Sequence, residues 1–258
     1  MSQIVTCKLY GGLGNQMFQI FATIAYSLSY NMDFVFLYSD NLGKRPTYWH
    51  TFFASICDHT TTEMPVCKEV GQDLTKPMDN QNIMLNGYFQ SYLFFEHHYK
   101  TILKILDVEK HHKNLHKNRI SLHFRRGDYK DLPDCHPIMR LDYYANALNY
   151  ILAFDDSIEY VQYFCEDEDL TDVNKDVDVL KNEFRQIGFE RCREKSDWEE
   201  MLAMSGCKHN IIANSSFSWW GAYLNPNPDK IVCYPSVWFG PLIPENTDAM
   251  FPKNWIKI

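Results

Sequence analysis

The sequence contains no segment long and apolar enough to cross a membrane. A spanning helix needs about 18 uncharged apolar residues in succession, and none of the apolar runs in the 258 residues reaches that length. Met1, Ser2 and Gln3 place no basic charge ahead of the first apolar run, so neither a signal peptide nor an amino-terminal anchor is predicted. We therefore expect a cytoplasmic protein whose contact with a membrane would be peripheral.

Basic residues are too few for a general nucleic-acid-binding protein. Lys and Arg number 25 against 33 Asp and Glu, which gives a net charge of −8. Binding to a nucleic-acid backbone requires clustered positive charge, and we expect no nucleic-acid partner. A site for an anionic ligand must then be small and focused.

Paired cysteines are also missing. The eight cysteines are scattered without a CxxC pair, and several lie within apolar runs, for example Cys165 and Cys233. This distribution favours free buried thiols in a reducing compartment over disulfides. Cys207 with His209 lacks the spacing of a zinc site, and we expect no metal and no other cofactor.

The apolar pattern that is present alternates between strand and helix. Strands are predicted at 4–9, 34–37, 83–85, 120–124, 158–164, 210–213 and 231–234, and helices at 16–29, 94–107, 141–154, 168–183, 196–205 and 217–224. Repeated βα units predict an α/β protein with doubly wound sheets. The charged segment 109–118 is a predicted linker, which gives domains 1–118 and 119–258.

Two adjacent arginines follow the predicted strand 120–124, in the heptapeptide His123-Phe124-Arg125-Arg126-Gly127-Asp128-Tyr129. Open α/β sheets bind ligands at the carboxyl ends of their strands, and an arginine donates two parallel hydrogen bonds to phosphate or carboxylate. A structural ion pair between an arginine and Asp128 is the alternative. The position at a strand end favours phosphate binding.

Two further segments join a predicted strand to a predicted helix, whose free terminal N–H groups attract anions. The segment GGLGNQ at 11–16 fits neither a Walker sequence nor GxGxxG, and a tight turn with a helix cap is its more frequent explanation. The segment NSSFSWWG at 214–221 offers serine hydroxyls suited to a diphosphate, and an ordinary helix cap is the alternative. Its two tryptophans are expected in the core.

Acidic clusters occur at Asp176-Val177-Asp178 and in the run 166–169. They resemble superficially the DxD motif with which many sugar-nucleotide enzymes bind a divalent metal. Both lie in a stretch predicted to be an exposed acidic helix, so a solvated helix face is the preferred interpretation.

Together these segments resemble the α-1,2-fucosyltransferases of glycosyltransferase family 11. The matching pieces are GGLGNQMFQ at 11–19, GYFQS at 87–91, HFRRGDY at 123–129 and MSGCKHNIIANSSFSWWG at 204–221, in family order across nearly the whole chain. The resemblance implies a GT-B-like fold of two Rossmann-type domains with a cleft between them, the first on the acceptor side. It further implies GDP-β-L-fucose as donor, a β-galactoside glycan as acceptor, and metal-independent transfer with inversion.

The resemblance also implies roles for matching residues. Arg125 corresponds to a catalytic ligand of the β-phosphate, and His123 to a contact of the nucleoside. Glu200 stands where related enzymes usually carry an aspartate that contacts guanine. The remaining implied donor-binding residues are Gly14, Asn15 and Gln16 in the first domain and Arg126, Asn214, Ser215, Ser216, Phe217 and Ser218 in the second.

The motifs leave the general base open. Asp128 is one candidate for removing the proton of the acceptor hydroxyl, and an orienting role beside Arg125 or Arg126 is the alternative. The function expected is transfer of fucose to the 2-hydroxyl of a β-galactoside. Transfer of another GDP-deoxyhexose, transfer to a non-galactose acceptor, and a non-catalytic module that binds sugar nucleotides or glycans are the alternatives.

Overall fold

The computed structural model describes residues 3–72, 81–111 and 115–258. The chain divides into two compact units, of which unit 1 comprises Met1–His111 with Ala249–Phe251, and unit 2 comprises His112–Asp248 with Pro252–Ile258. The passage from unit 1 to unit 2 falls inside the predicted linker 109–118. Among the described residues, no helix is long and apolar enough to span a membrane.

Unit 1 is built on a parallel sheet. Its described strands and helices are β1 (Ile4–Cys7), α1 (Leu13–Tyr30), β2 (Asp33–Phe34), β3 (Phe36–Leu37), β4 (Asn41–Leu42), β5 (Arg45–Pro46), β6 (Thr60–Thr61), β7 (Lys68–Val70), β8 (Ile83–Leu85) and α2 (Tyr99–Ile105). Four of these strands form the parallel sheet in the order β2-β1-β8-β7. Helix α1 contains no charged residue and is buried along most of its length, as expected for a helix that is apolar all round.

Two predicted elements of unit 1 differ from the structure. The predicted strand 34–37 is split, because β2 pairs with β1 whereas β3 pairs with β6. The predicted helix 94–107 is only α2, preceded by 3-10 turns at Tyr92–Phe94 and Glu96–His98. Periodicity detected the apolar positions but could not distinguish successive 3-10 turns from a continuous helix.

Unit 2 has a six-stranded sheet. Its elements are β9 (Arg119–His123), α3 (Leu141–Phe154), β10 (Tyr160–Phe164), α4 (Leu170–Glu183), β11 (Gly188–Arg191), α5 (Asp197–Ser205), β12 (His209–Ile211), α6 (Ser216–Tyr223), β13 (Val232–Tyr234) and β14 (Ile256–Lys257). The strands are all parallel, in the order β11-β10-β9-β12-β13-β14. Counted along the chain this is the order 3-2-1-4-5-6, which is that of dinucleotide-binding Rossmann sheets.

The core of unit 2 lies between the sheet and its helices. Ile120, Leu122 and Val161 from the sheet pack with buried residues of α3 and α4. Trp219 and Trp220 are fully buried, which confirms their predicted place in the core. The eight cysteines are all free thiols, as predicted, and five of them are buried.

The strand order of unit 2 decides where its predicted loops meet. The direction of winding reverses between β9 and β12, which are neighbours in the sheet. Ligands of open α/β sheets bind at the carboxyl ends of the strands that flank such a reversal. Residues 124–129, here called the arginine loop, follow β9, and the segment 214–216 follows β12. Two of the three predicted anion sites therefore lie at this point. The predicted α/β class is confirmed, with a parallel sheet in each of the two units, and the GT-B-like arrangement stays a prediction.

Candidate active site

The two loops at the reversal point are joined by hydrogen bonds. The Tyr129 hydroxyl donates to the Asn214 carbonyl oxygen at 3.0 Å. The Asn214 side-chain amide donates to the carbonyl oxygens of Pro137 at 2.9 Å and Trp238 at 3.0 Å. The rings of His123 and Phe217 lie with centroids 5.6 Å apart. The structure thus brings together the arginine loop and the segment that begins α6.

Arg125 is held in place from several directions. Its guanidinium forms ion pairs with Asp128 and with Glu166, and its side chain is 16% exposed. The guanidinium carbon also lies 4.9 Å from the centroid of the Tyr129 ring, within the range of a cation–π contact. Burial disfavours the charge, but the two carboxylates outweigh it and raise the pKa of Arg125. The guanidinium of Arg125 is therefore always charged, and it is oriented before any ligand binds.

Arg126 has a different environment. It forms an ion pair with Asp176 of α4, which is half-buried. This pair connects the loop after β9 to the helix after β10. The two adjacent arginines therefore have separate carboxylate partners, and Arg126 is held toward α4.

Asp169 holds the backbone of the arginine loop. It is 2% exposed and accepts a hydrogen bond from the Gly127 N–H at 2.7 Å, while the Lys130 ammonium lies 2.6 Å from its other oxygen. Burial alone would raise the pKa of Asp169, but Lys130 and the Gly127 N–H lower it below its ordinary value. Gly127 has a φ of 41°, a conformation that favours glycine.

The interpretation of these acidic residues as a solvated helix face is wrong for Asp169, which is buried, and for Asp176, which is half-buried. The other three residues of the run 166–169 are exposed, as predicted. Glu166 and Asp176 pair with Arg125 and Arg126, and Asp167 pairs with Arg191. The cause is that β9 and β10 are neighbours, so the acidic turn after β10 lies against the basic loop after β9. Asp178 is exposed, in agreement with the prediction.

Two histidines lie at this site. His123 is 7% exposed, and its Nδ1 atom is buried without a hydrogen-bond partner among the described residues. Burial and the nearby Arg125 lower the pKa of His123 to about 3, so its imidazole is neutral at pH 7. His136 stacks on Tyr129 with centroids 4.6 Å apart, and burial lowers its pKa as well. Sequence reasoning missed His136, which lies outside the recognised motifs, and it assigned Glu166 to a solvated helix face.

The start of α6 is arranged as a capped helix. Ser215 is the N-cap, and its hydroxyl accepts a hydrogen bond from the Phe217 N–H at 3.3 Å. Ser216 and Phe217 are half-buried. The Ser218 hydroxyl is buried and donates within the loop, to the carbonyl oxygens of Ala213 and Ser215, both at 3.4 Å. The predicted cap is present, and a predicted ligand role for Ser216 and the helix N–H groups is compatible with it.

Glu200 lies in α5, in a partly buried environment. Burial raises the pKa of its carboxyl to about 7, with further contributions from the negative charges of Asp167, Asp197 and Glu194, although Arg191 opposes the shift. The carboxyl therefore changes its charge near neutral pH. A ligand that donates hydrogen bonds to Glu200 would favour the ionised form.

The predicted residues of unit 1 lie at the turn between β1 and α1. Asn15 accepts a hydrogen bond from the Gln90 side chain at 2.8 Å. Gln16 is fully buried and donates to the carbonyl oxygens of Gly11 at 3.0 Å and Pro46 at 2.8 Å. Gly14 is buried in the first turn of α1. Gln16 thus stabilises the turn, whereas Asn15 lies partly exposed beside Gln90.

The described ranges 3–72, 81–111 and 115–258 contain no group of three or more His, Cys, Asp or Glu side chains arranged to hold a metal ion. Metal independence stays a prediction.

Comparison with known protein families shows that the chain is a glycosyltransferase. The model of glycosyl transferase family 11 matches residues 68–258, and the chain belongs to that family. Over nearly their full lengths, it is 28% identical to the O-antigen biosynthesis glycosyltransferase WbnK of Escherichia coli, covering 97% of this chain and 99% of the relative. It is 24% identical to an alpha-1,2-colitosyltransferase of Escherichia coli, covering 99% of each chain.

Solved structures with a similar chain path are more distant. A FUT1 mutant of Arabidopsis thaliana in complex with GDP has 9% identity and a TM-score of 0.49, over 91% of this chain and 70% of that one. The fucosyltransferase NodZ from Bradyrhizobium has 12% identity and a TM-score of 0.44, over 86% of this chain and 92% of that one. Likenesses of this size carry no information about the substrate.

Proposed function

We propose that the protein transfers L-fucose from GDP-β-L-fucose to the 2-hydroxyl of a β-galactoside, with inversion at the sugar carbon and without a metal ion. The observation that carries this proposal is the environment of Arg125. In a chain of family 11, a preoriented guanidinium lies at the reversal point of a Rossmann sheet and contacts the ring of Tyr129, whose hydroxyl donates to the loop that begins α6.

The reaction requires negative charge to be stabilised on the departing GDP. As the bond between the sugar carbon and the β-phosphate oxygen breaks, the sugar develops oxocarbenium character and the diphosphate gains charge. In the proposed mechanism Arg125 donates to the β-phosphate, and the N–H groups at the start of α6 donate beside Ser215 and Ser216. Donors fixed in advance are effective because they need no reorganisation during the reaction.

The nucleoside would lie beside the other predicted residues of unit 2. His123 is neutral and buried, so it can provide a ring contact or a single hydrogen bond without repelling Arg125. An ionised Glu200 would accept hydrogen bonds from guanine, and a pKa of about 7 means that acid would weaken this contact. Asn214 and Ser218 would act by holding the loop, since their side chains donate to backbone carbonyl oxygens.

Transfer of colitose is the second candidate function. It is favoured by one observation, the 24% identity over 99% of both chains to a protein named as an alpha-1,2-colitosyltransferase. The two donors would share the same diphosphate contacts and differ in the sugar. The choice between them depends on residues that contact the sugar ring.

Incubation with GDP-fucose and lactose, with and without EDTA, tests the proposal. We expect GDP release coupled to formation of a fucosylated trisaccharide, at a rate that EDTA does not change. A parallel incubation with a colitosyl donor separates the two candidate sugars. Binding of GDP-fucose without GDP release would support a non-catalytic module, and strict metal dependence would contradict the mechanism.

For Asp128 we propose the orienting role, because its carboxylate already forms an ion pair with Arg125. Asp128→Asn should lower kcat by about 10- to 100-fold, the size of effect expected when a reacting group is misplaced by about 1 Å. The loss should be the same across the pH range, since the carboxylate acts on the position of Arg125. The measurement is kcat against pH from 5 to 9.

A general base would give a different profile. If Asp128 received the acceptor proton, Asp128→Asn would remove the decline of rate at acid pH, and the orienting role would be wrong. His136→Gln is the companion variant, because a neutral imidazole near Asp128 can also accept a proton. Loss of the acidic decline in that variant alone would place the base at His136.

A further inference from the structure

A cluster of aromatic and polar side chains lies at the carboxyl edge of the unit 1 sheet. The rings of Tyr10 and Tyr88 meet edge to face, with centroids 4.7 Å apart, and Tyr88 remains 43% exposed. The Tyr10 hydroxyl donates to the Asn86 side-chain oxygen at 3.3 Å, and the Asn86 amide donates to Glu69 at 2.6 Å. Tyr10 follows β1, Asn86 and Tyr88 follow β8, and Glu69 lies within β7, one residue before its carboxyl end. Open α/β sheets bind ligands at this edge.

The backbone that presents this cluster is fixed on both sides. The Gln19 side chain, fully buried in α1, accepts from the Tyr10 N–H at 3.0 Å and donates to the Tyr10 carbonyl oxygen at 3.2 Å. Both the oxygen and the nitrogen of the Gln19 side chain thus form hydrogen bonds with the backbone of Tyr10. An aromatic platform held this way loses little conformational freedom when a ligand binds.

Phe89, next to Tyr88, has an unfavourable backbone conformation. Its φ is 51°, which is rare for a bulky side chain, and its ring is fully buried. On either side of the buried Phe89, Tyr88 is exposed and Gln90 is half-buried, and the Gln90 side chain donates a hydrogen bond to Asn15. Residues in such conformations cluster at ligand sites, where the surrounding structure maintains them. Phe89 is therefore an independent indication that the segment 87–91 presents side chains to a ligand.

The chemistry of the cluster selects a neutral ligand rich in hydroxyl groups. An exposed tyrosine ring offers a flat apolar face that suits the C–H face of a pyranose, and its hydroxyl adds a polar edge. Glu69 and Asn86 offer oxygens that accept hydrogen bonds from sugar hydroxyls. The exposed carboxylate of Glu69 would repel a diphosphate at the same place.

We propose that Tyr88, supported by Tyr10, Asn86 and Glu69, is the platform on which a sugar ring of the acceptor glycan binds. This assignment rests on the proposed transferase function and adds its acceptor subsite. The ligand class is a neutral pyranose with free hydroxyls, such as a β-galactoside. Tyr88 provides the stacking surface, and the Asn86–Glu69 pair provides hydrogen-bond acceptors at its edge.

Tyr88→Ser and Tyr88→Phe test the platform in the full-length protein. With saturating GDP-fucose, Tyr88→Ser should raise the KM for lactose about tenfold or more, which corresponds to a loss of ~1.4 kcal/mol in binding. Tyr88→Phe keeps the ring, so its KM for lactose should stay within about threefold of the natural protein's, a loss of less than ~0.7 kcal/mol. The KM for GDP-fucose and the slow hydrolysis of GDP-fucose without acceptor should not change. Phe154→Ser is the matched control, since Phe154 is an aromatic residue 69% exposed on α3 of unit 2.

An unchanged KM for lactose in Tyr88→Ser, or an equal rise in Phe154→Ser, would overturn the inference. Saturation-transfer NMR of lactose on the protein gives a second measurement that needs no turnover. Signal that is present in the natural protein and lost in Tyr88→Ser supports the platform even if GDP-fucose proves to be the wrong donor. Absence of signal in the natural protein contradicts it, whatever the result with GDP-fucose.

Discussion

Arg125→Lys should lower kcat with GDP-fucose by about 10²- to 10³-fold, the loss expected when one preorganised donor to a developing negative charge is removed. Lysine keeps the positive charge but has a single ammonium group on a flexible stem. It cannot pair with Glu166 and Asp128 while presenting a planar fork to the β-phosphate. The charge therefore remains, and the geometry is lost.

The same chain offers a matched control for this substitution. Arg119 lies at the opposite end of β9, forms an ion pair with Glu190 at 2.6 Å, and has its guanidinium carbon 5.0 Å from the Tyr160 ring centroid. It thus has the same kinds of contact as Arg125 at the end of the sheet away from the proposed site. Arg119→Lys should keep kcat within about twofold, consistent with the small energies of exposed ion pairs.

The measurement is steady-state kcat and KM for GDP-fucose, with thermal unfolding as a check that each variant is folded. The kcat of Arg126→Lys should lie between those of Arg125→Lys and Arg119→Lys, because Arg126 pairs with Asp176 and thereby positions the arginine loop. Near-native turnover in Arg125→Lys would exclude Arg125 as the phosphate ligand. Equal losses in Arg119→Lys would show that the effect arises from general destabilisation.

His123→Gln should remove much of the pH dependence of stability between pH 7 and 5. The pKa of His123 is about 3 in the folded protein and 6.5 as its ordinary value. Between these values the unfolded chain binds a proton that the folded protein does not, so stability rises with pH. The contribution is fully present above pH 6.5 and is lost progressively as pH falls toward 3. At pH 5 the loss should be about 2 kcal/mol, from 1.36 kcal/mol per pH unit.

Urea unfolding at pH 7, 6 and 5 checks this expectation, with tryptophan fluorescence as the signal. Trp219 and Trp220 are buried in unit 2, the same unit as His123. His97→Gln is the control, because His97 is exposed in unit 1. His209, whose pKa is also lowered by burial, is present in all the proteins and cancels in the difference. If His123→Gln loses as much stability toward pH 5 as the natural protein, the neutral buried state of His123 is wrong.

Much of unit 2 follows from local sequence patterns. The strand at 120–124, the helix at 141–154 and the buried tryptophans correspond closely to β9, α3 and the core position of Trp219 and Trp220. These features depend on periodicity and on residue type, which are readable along the chain. The structure of unit 1 is predicted less well from local patterns, because its short strands pair with strands that lie far along the sequence.

The roles of the acidic residues in the run 166–169 could not be predicted from local sequence patterns. Asp169 lies in a run of four acidic residues, and composition alone favours a solvated surface. The structure buries Asp169 against the Gly127 N–H and Lys130. Burial and ion pairing depend on neighbours in space, and no local pattern distinguishes Asp169 from the exposed Glu168 beside it.

The sequence by itself determined that Arg125 lies in a loop at the end of a buried strand, and that the segment 214–216 begins a helix. Only the tertiary structure decided that these two places meet, because the order 3-2-1-4-5-6 makes β9 and β12 neighbours. It also decided which carboxylates orient Arg125, one of them 41 residues away in the chain. The physical reason is that strand propensity is local, whereas strand pairing and charge pairing depend on the packing of the whole unit.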